Sequence, residues 1–324
     1  MISRRSTLLA AATSAVPALP VPTSAAPFPQ RAVRILVPVP AGSVPDILAR
    51  LIAERAAPAW GVPVVVENRP GAGGAIGVEA AVRAPADGHT LLLGSSGPIA
   101  ILPAVHPRLT YDPLRDLRPV ARIADFPLVF LASRDSGLRT LSDLLERSRA
   151  PGDVLDYAGG DIGSTQHLSG ALLVAKAGLR LNHVPYRGGG LAQADLTAGR
   201  IPLMVDSLSA VLRMIQDGNA IPLAVCGPRR ASQLPEVPAL AEAVPGYEAT
   251  GWMGVFAPAA TPPEIVAMLS ASLVALVGEA AMRARITSVG SDPMVQDGPS
   301  FGQFVAEELT KWKGLAETAG ISVS

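Results

Sequence analysis

Cysteine is almost absent from this chain, which has a single one, Cys226. An intramolecular disulfide is therefore impossible. The segment around Cys226, PLAVCG, is typical of a buried strand. We therefore predict an inert, buried thiol rather than a catalytic one.

The chain also lacks an excess of charge of either sign, and aromatic residues are scarce. Lys and Arg together number 27, Asp and Glu also number 27, and aromatic residues make up 4%. Nucleic-acid binding requires a basic surface, and single strands also require aromatic side chains for stacking. Composition therefore argues against nucleic acid as a partner. A hydrophobic content of 49% over 324 residues allows a large core.

Metal-binding and catalytic motifs are also missing. The histidines at 89, 106, 167 and 183 do not have metal-ligand spacing, H-E-x-x-H is absent, and GSSG does not match the nucleophile motif G-x-S-x-G. We predict no metal and no cofactor. Ser164 and His167 lie close together at an expected helix start, where we favour an anion-binding loop over a serine-dependent hydrolase.

The first residues have the composition of an export signal. Arg4 and Arg5 precede an apolar stretch, and small residues follow up to a cleavage zone around Ala25 or Ala26. We interpret 1–26 as a signal peptide, either an ordinary secretory signal or, because of the pair in SRRSTL, a twin-arginine signal. No later stretch has the uninterrupted apolar length of a spanning helix. We therefore expect an exported protein that is soluble after cleavage of the signal.

Hydrophobic periodicity after residue 27 alternates between short apolar runs and helical spacing. VRILVP, VPVVVE and HTLLLG are predicted strands, with helices in DILARLIAERAAPAW and AIGVEAAVR between them. This order predicts parallel pairing through right-handed crossovers. A second α/β region is predicted from PLVFLAS, LDYAG, LNHVPY, IPLMVD and IPLAVCG. A helix is expected to begin after Thr140, with Asp143 in the capping-box position. A strand in TGWMGVFAP and three helices follow, the first with Thr261 as its expected cap.

The stretch VVVENRPGAGGAIG raises the question of a nucleotide site, because Gly71, Gly73 and Gly77 form G-x-G-x-x-x-G. A dinucleotide-binding turn requires an acidic residue at the end of the next strand. That strand ends in LLLGSS, and the G-K-[ST] of a P-loop is absent as well. We therefore interpret these glycines as a sharp turn followed by a close contact between helix and sheet.

Together these segments resemble the periplasmic substrate-binding receptors of tripartite tricarboxylate transporters, also called Bug proteins. The resemblance extends from Phe28 to the C-terminus. Each segment alone is a weak signal, but their combined order and spacing are specific. The segments are VRILVPVPAGSVPDILARLIA, VVVENRPGAGGAIG, ADGHTLLLGSS, YDPLRDLRPVA, GSTQHLSGALL, NHVPYRGGG and LPEVPALAEAVPGYEATGWMGVFAPAATPPEIV.

The resemblance implies a two-lobed α/β fold of the type II periplasmic binding proteins. Each lobe would be a mainly parallel sheet flanked by helices, with the ligand in a cleft between the lobes. The implied lobes are 27–128 with 254–324, and 129–253, so the first lobe is discontinuous. Such a cleft closes on its ligand by a hinge motion.

The implied function is that of a receptor rather than an enzyme. It would capture a small organic carboxylate and deliver it to the membrane components of a tripartite tricarboxylate transporter. A periplasmic sensor that presents its closed form to a signalling partner is an alternative, because it would need the same cleft.

Three loops at strand ends correspond to those with which the family holds carboxylates, through backbone amides and hydroxyl groups. They are PAGSVPD, GSSGP and GDIGSTQH, and each leads into a predicted helix whose first N–H groups are unpaired. These loops, together with Asp206 at the tip of the strand LMVD, contain the ligand-binding residues that the resemblance implies. They are Ala41, Gly42, Ser43, Asp46, Ser95, Ser96, Gly163, Ser164, Thr165, His167 and Asp206. Asp46 and Asp206 could instead cap helices.

The first of these loops departs from the family pattern, which usually has two glycines and a threonine before the aspartate. Here Gly42 is followed by Ser43, Val44 and Pro45. Proline has no N–H to offer. The loop therefore has fewer amide donors than the pattern implies.

The signal-peptide interpretation has a direct test. Because Arg4 and Arg5 precede an apolar stretch and small residues, we expect export with cleavage near Ala25 or Ala26. N-terminal sequencing of protein from the periplasmic fraction should begin just after this zone. Periplasmic protein that begins at Met1 would contradict the prediction.

Overall fold

The computed structural model describes residues 28–152, 154–186 and 188–322. The predicted signal peptide, 1–26, lies outside these residues. The described strands are β1 (Val33–Val37), β2 (Val64–Asn68), β3 (Thr90–Ser95), β4 (Leu117–Phe126), β5 (Leu128–Ala132), β6 (Leu155–Gly159), β7 (Leu181–Pro185), β8 (Leu203–Ser207), β9 (Ile221–Val225), β10 (Gly251–Pro258) and β11 (Asp292–Asp297).

The helices follow most of the strands and lie against the sheets. They are α1 (Val44–Trp60), α2 (Ala75–Val82), α3 (Leu102–Val105), α4 (Pro113–Asp116), α5 (Leu141–Arg149), α6 (Thr165–Ala177), α7 (Gly189–Thr197), α8 (Leu208–Gln216), α9 (Leu240–Ala243), α10 (Pro263–Gly278), α11 (Ala280–Ser288) and α12 (Gly298–Ala319). A π-helical turn, Gly97–Ile101, precedes α3.

The described strands form two sheets, with the orders β11-β4-β10-β3-β1-β2 and β7-β6-β8-β5-β9. β1 pairs in parallel with β2 and β3, as the alternation of strands and helices predicted. β6 likewise pairs in parallel with β7 and β8. The chain therefore has the expected two-lobed α/β fold.

Both sheets are mixed rather than mainly parallel in their pairing. β10 is antiparallel to β3 and β4, and β5 is antiparallel to β8 and β9. The chain reaches β10 and β5 from the other lobe. Each strand begins beside the carboxyl end of its neighbour, β3 or β8, and therefore runs in the opposite direction. The sheets change at Pro127 and again between Val225 and Gly251. The lobe boundaries at 128 and 254 stay a prediction.

Sequence analysis did not identify β4 or β11. β4 carries charged residues in a buried strand, a pattern that does not resemble an apolar run. The structure accommodates them by pairing, because Arg122 Nε donates to Asp125 Oδ1 at 2.8 Å. The Arg122 guanidinium also lies 3.7 Å from the centre of the Phe304 ring. The aliphatic side chains of β11, Met294 and Val295, are adjacent and do not alternate with polar ones, so its sequence lacks the strand period.

The expected caps of two helices had different outcomes. The box predicted at α5 is confirmed, since Thr140 Oγ1 accepts the Asp143 N–H at 3.1 Å and Asp143 accepts the Thr140 N–H at 2.9 Å. The cap predicted at Thr261 is wrong. Pro262 immediately precedes α10, and the Thr261 hydroxyl is buried without a hydrogen-bond partner among the described residues. The fixed φ angles of consecutive prolines set this helix start instead.

One apolar cluster is continuous between the lobes and includes Leu92 from the first sheet, Phe130 from the second and Trp312 from α12. The indole N–H groups of Trp252 and Trp312 both donate to Glu308 at 3.0 Å, which satisfies this buried carboxylate. The predicted burial of the lone cysteine is confirmed. Burial raises the pKa of the Cys226 thiol to about 12, so the thiolate that reactivity requires is disfavoured.

The glycine stretch makes a sharp turn. Gly71, Gly73 and Gly74 all have positive φ, which side chains rarely adopt. A side chain at Gly77 would lie 2.7 Å from the backbone of Pro38. These glycines therefore let α2 pack closely beside the loop that follows β1.

Among the described residues no single helix is long and apolar enough to cross a membrane. α10 and α11 reach that length and composition only as a pair, bent by 75°.

The packing of α6 on its sheet can be tested with two helical glycines. A Cβ at Gly170 would lie 2.3 Å from Tyr157 Cζ, and the Tyr157 hydroxyl is held by the His167 carbonyl. Overpacking should make Gly170→Ala less stable by about 1–3 kcal/mol. Gly314 in α12 has no atom within 4 Å of that position. Gly314→Ala should therefore be more stable by about 0.5–1 kcal/mol. Equal effects in urea unfolding would contradict this packing.

Candidate ligand-binding site

The predicted ligand loops all follow strands at the same edge of their sheets. Pro40–Asp46 links β1 to α1, and Ser95–Ser96 links β3 to the π-helical turn. Gly160–His167 links β6 to α6, and Asp206 lies at the end of β8, directly before α8. Because the carboxyl ends of parallel strands meet at one edge, each lobe presents two of these loops at a common edge.

The first loop is held together by the buried carboxylate of Asp46. Asp46 Oδ2 accepts the Gly42 N–H at 2.8 Å, and Asp46 Oδ1 accepts a bond from Asn68 at 3.0 Å. Arg50 forms an ion pair with the same carboxylate at 3.0 Å. Burial opposes ionisation of Asp46, but these hydrogen bonds outweigh it and lower its pKa. The Ser43 hydroxyl donates to the Pro40 carbonyl, so this side chain is also used within the loop.

The second loop contains a buried hydroxyl. Ser96 is fully buried, and its Oγ has no hydrogen-bond partner among the described residues. Ser95 is buried beside it at the end of β3. The helical segment that follows begins as a π-helical turn, which is wider than an α-helical one and is frequent at functional sites.

The third loop begins α6 with Ser164 as its N-cap. Ser164 Oγ accepts the His167 N–H at 3.1 Å, and His167 Nδ1 accepts the Gly163 N–H at 3.0 Å. The N–H groups of the first turn of α6 have no partner within the helix. They carry the partial positive charge of the helix N-terminus.

The second and third loops meet across the lobes at Gly97 and Thr165. A Cβ placed on Gly97 would lie 3.9 Å from Thr165 Oγ1. The hydroxyl of Thr165 therefore lies next to the backbone that follows Ser96.

Asp206 lies near this junction but is occupied by neighbouring donors. It is 5% exposed and accepts hydrogen bonds from Gln166 and Gln193, each at 3.3 Å, and from the Ser207 N–H at 2.8 Å. Burial raises its pKa, and these hydrogen bonds only partly offset the effect. The two glutamines were not identified from the sequence. Only their positions could have identified them, because Gln166 lies in the first turn of α6 and Gln193 lies in α7.

The His167 side chain, in the third loop, contacts β7. Its ring stacks on His183 with centroids 4.1 Å apart. Both rings line a pocket of about 650 Å³ between α6, β7 and the end of α12. Burial and the neighbouring His183 lower the pKa of His167 to about 4. The ring is therefore neutral at physiological pH, in agreement with its Nδ1 accepting the Gly163 N–H.

The predicted residues differ in what they contact. Thr165 lies beside Gly97, which directly follows the buried residues Ser95 and Ser96. Ala41 and Gly42 lie in the turn before α1, where Asp46 uses the Gly42 N–H. Ser43, Gly163, Ser164, His167 and Asp206 make hydrogen bonds within their own lobe. A ligand role for each stays a prediction.

Known proteins are similar to this chain in both sequence and fold. The family model described as tripartite tricarboxylate transporter family receptor matches residues 48–321. Protein BugT of Bordetella pertussis is 35% identical over 92% of this chain and 92% of its own.

Two solved structures of Rhodopseudomonas palustris proteins are also similar. Rpa4515, solved with adipate, is 34% identical, with a TM-score of 0.79 over 91% of this chain and 99% of its own. MatC, solved with bound malate, is 32% identical, with a TM-score of 0.74 over 89% of this chain and 99% of its own. The family model covers most of the chain, and these relatives match along nearly all of it. The chain therefore belongs to the tripartite tricarboxylate transporter receptor family.

Proposed function

We propose that this protein is a periplasmic receptor that binds a small organic carboxylate between its lobes and delivers it to a membrane transporter of the tripartite tricarboxylate type. The observation that carries the proposal is the meeting of Thr165 with Gly97, which joins loops of both lobes at one point. The family's name supports the transporter as partner.

The chemistry of the junction favours a carboxylate. Ser96 and Thr165 offer hydroxyl donors. The His167 N–H is capped by Ser164, but the N–H groups of Thr165 and Gln166 at the start of α6 have no partner within the helix and carry partial positive charge. A carboxylate oxygen can accept from several such donors at once. It would also give the buried Ser96 hydroxyl a partner, which buried polar groups nearly always have.

Relatives narrow the ligand class further. Rpa4515 and MatC were solved with adipate and malate, both small dicarboxylic acids. Mass spectrometry of acids that copurify with this protein, followed by a thermal-shift screen of organic acids, would identify its own ligand. The proposal predicts a small carboxylate. A panel of acids without any effect would contradict it.

The geometry of the third loop does not favour a serine hydrolase. A catalytic histidine would accept the proton of the serine hydroxyl through a ring nitrogen. Here Ser164 Oγ accepts from the backbone N–H of His167, and the ring Nδ1 accepts from Gly163. The imidazole of His167 thus supports the loop and does not activate Ser164.

Removing one hydroxyl from the junction should weaken ligand binding. We expect Ser96→Ala and Thr165→Val each to weaken the affinity about tenfold to a hundredfold, because losing a hydrogen bond to a charged group costs roughly 1.5–3 kcal/mol. Calorimetry with adipate and malate as first ligands would measure this. Wild-type affinity in both variants would contradict the site.

Two matched controls lie outside the junction. Ser148 in α5 is also fully buried with a hydroxyl that has no partner among the described atoms, so Ser148→Ala removes the same group elsewhere. The Thr197 hydroxyl donates to the Gln193 carbonyl within α7, so Thr197→Val is the control for Thr165→Val. Both controls should keep wild-type affinity.

Closure of the lobes is the proposed mechanism, without chemistry on the ligand. A ligand shifts an equilibrium only if it binds one form better than the other. Contact with Ser96 in one lobe and Thr165 in the other meets this condition, because only the closed form provides both. Small-angle scattering should give a smaller radius of gyration with ligand than without it. An unchanged radius would contradict closure, and conversion of the ligand during incubation would contradict a receptor role.

A further inference from the structure

The ligand loops of the two lobes are built by the same local arrangement. Gly42 and Gly163 both have a φ of +82°. Each is followed by an N-cap serine in an extended conformation, with φ and ψ of −75° and 161° at Ser43 and of −71° and 162° at Ser164. The two loops share the pattern G-S-x-x-D or G-S-x-x-H, in which the last residue is the third of its helix.

Two backbone N–H groups of each loop also have corresponding acceptors. Each glycine N–H is accepted by the side chain four residues later, by Asp46 at 2.8 Å in one lobe and by His167 at 3.0 Å in the other. Each serine N–H is accepted by the carbonyl three residues earlier. The same backbone turn thus requires an acceptor at the same position, and a carboxylate supplies it in one lobe and an imidazole in the other.

We propose that His167 is a positioning residue of the ligand site, which holds the Gly163 N–H and thereby fixes the start of α6, and that only its neutral form does so. The proposal rests on the proposed function, because the loop that His167 fixes is the one assigned to the ligand. The role differs from direct ligand contact, since the His167 ring stacks on His183 and lines the pocket behind α6.

The chemistry of the acceptor sets the pH at which the loop is held. An ionised aspartate accepts at any pH above its pKa, but an imidazole loses its acceptor when it takes up a second proton. The ionisable side chains that line the pocket with His167 are His183 from β7 and Tyr157 from β6. Thr318–Ser322, at and after the end of α12, also line it and have no ionisable side chain. Burial and His183 both disfavour a charge on His167 and place its pKa near 4.

Two substitutions of His167 distinguish the effect of losing the hydrogen-bond acceptor from the effect of losing the ring. His167→Leu removes the acceptor, while His167→Asn keeps an oxygen acceptor at the position where Asp46 shows that a short side chain reaches the glycine N–H. We expect hydrogen exchange of the Gly163 amide, followed by NMR, to become about tenfold faster in His167→Leu and to stay near the wild-type rate in His167→Asn. An unchanged rate in His167→Leu would overturn the proposal. This measurement needs no ligand.

Affinity and its pH profile provide the second readout. With malate and adipate as probes, His167→Leu should bind about three- to tenfold more weakly than His167→Asn, because one loop hydrogen bond is lost. As the pH falls towards 4, the affinity of the wild type should decrease relative to His167→Asn, whose acceptor does not titrate. Equal affinities and parallel pH profiles would overturn the proposal. If wild type binds neither acid, the proposed ligand fails, and Gly163 exchange still decides the role of His167.

Discussion

The approach of the α6 N-terminus to the loop after β3 is the contact on which the proposed site depends. It places Thr165, from the lobe that contains β6, beside Gly97 from the lobe that contains β3. The surrounding structure fixes both sides of this contact. Tyr157 and Tyr247 donate to the carbonyls of His167 and Ser169 in α6, and α12 contacts both α6 and the π-helical turn.

This arrangement would hold an anion without a cationic side chain among the predicted ligand residues. Neutral donors and a helix N-terminus cost little desolvation, whereas a buried arginine would need its own compensation. Their strength depends on being fixed in advance, since ordering a loop on binding reduces the affinity. Internal hydrogen bonds at Gly42 and Gly163 provide that order before a ligand arrives. In the proposed mechanism, closure then adds contacts from the second lobe.

Much of the fold could be predicted from the sequence, because apolar runs and helical spacing marked most of the strands and long helices. β4 was missed because Arg122 and Asp125 neutralise each other inside the sheet, an effect that a hydropathy pattern does not contain. The antiparallel entry of β5 and β10 depends on the passage between lobes, which local periodicity also does not reveal. The resemblance to a family indicated which loops we expect to hold the ligand. It did not indicate that the Asp46 carboxylate accepts the Gly42 N–H or that the His167 ring lies behind its loop, since both depend on side-chain direction.

We propose that a carboxylate binds where the loop of Ser96 and Gly97 meets the start of α6. A crystal structure of the protein with its strongest-binding organic acid tests this claim most directly. We predict a carboxylate group within hydrogen-bond distance of Ser96 Oγ in one lobe and of Thr165 in the other. A ligand in the pocket beside His183, or one that contacts a single lobe, would contradict the claim.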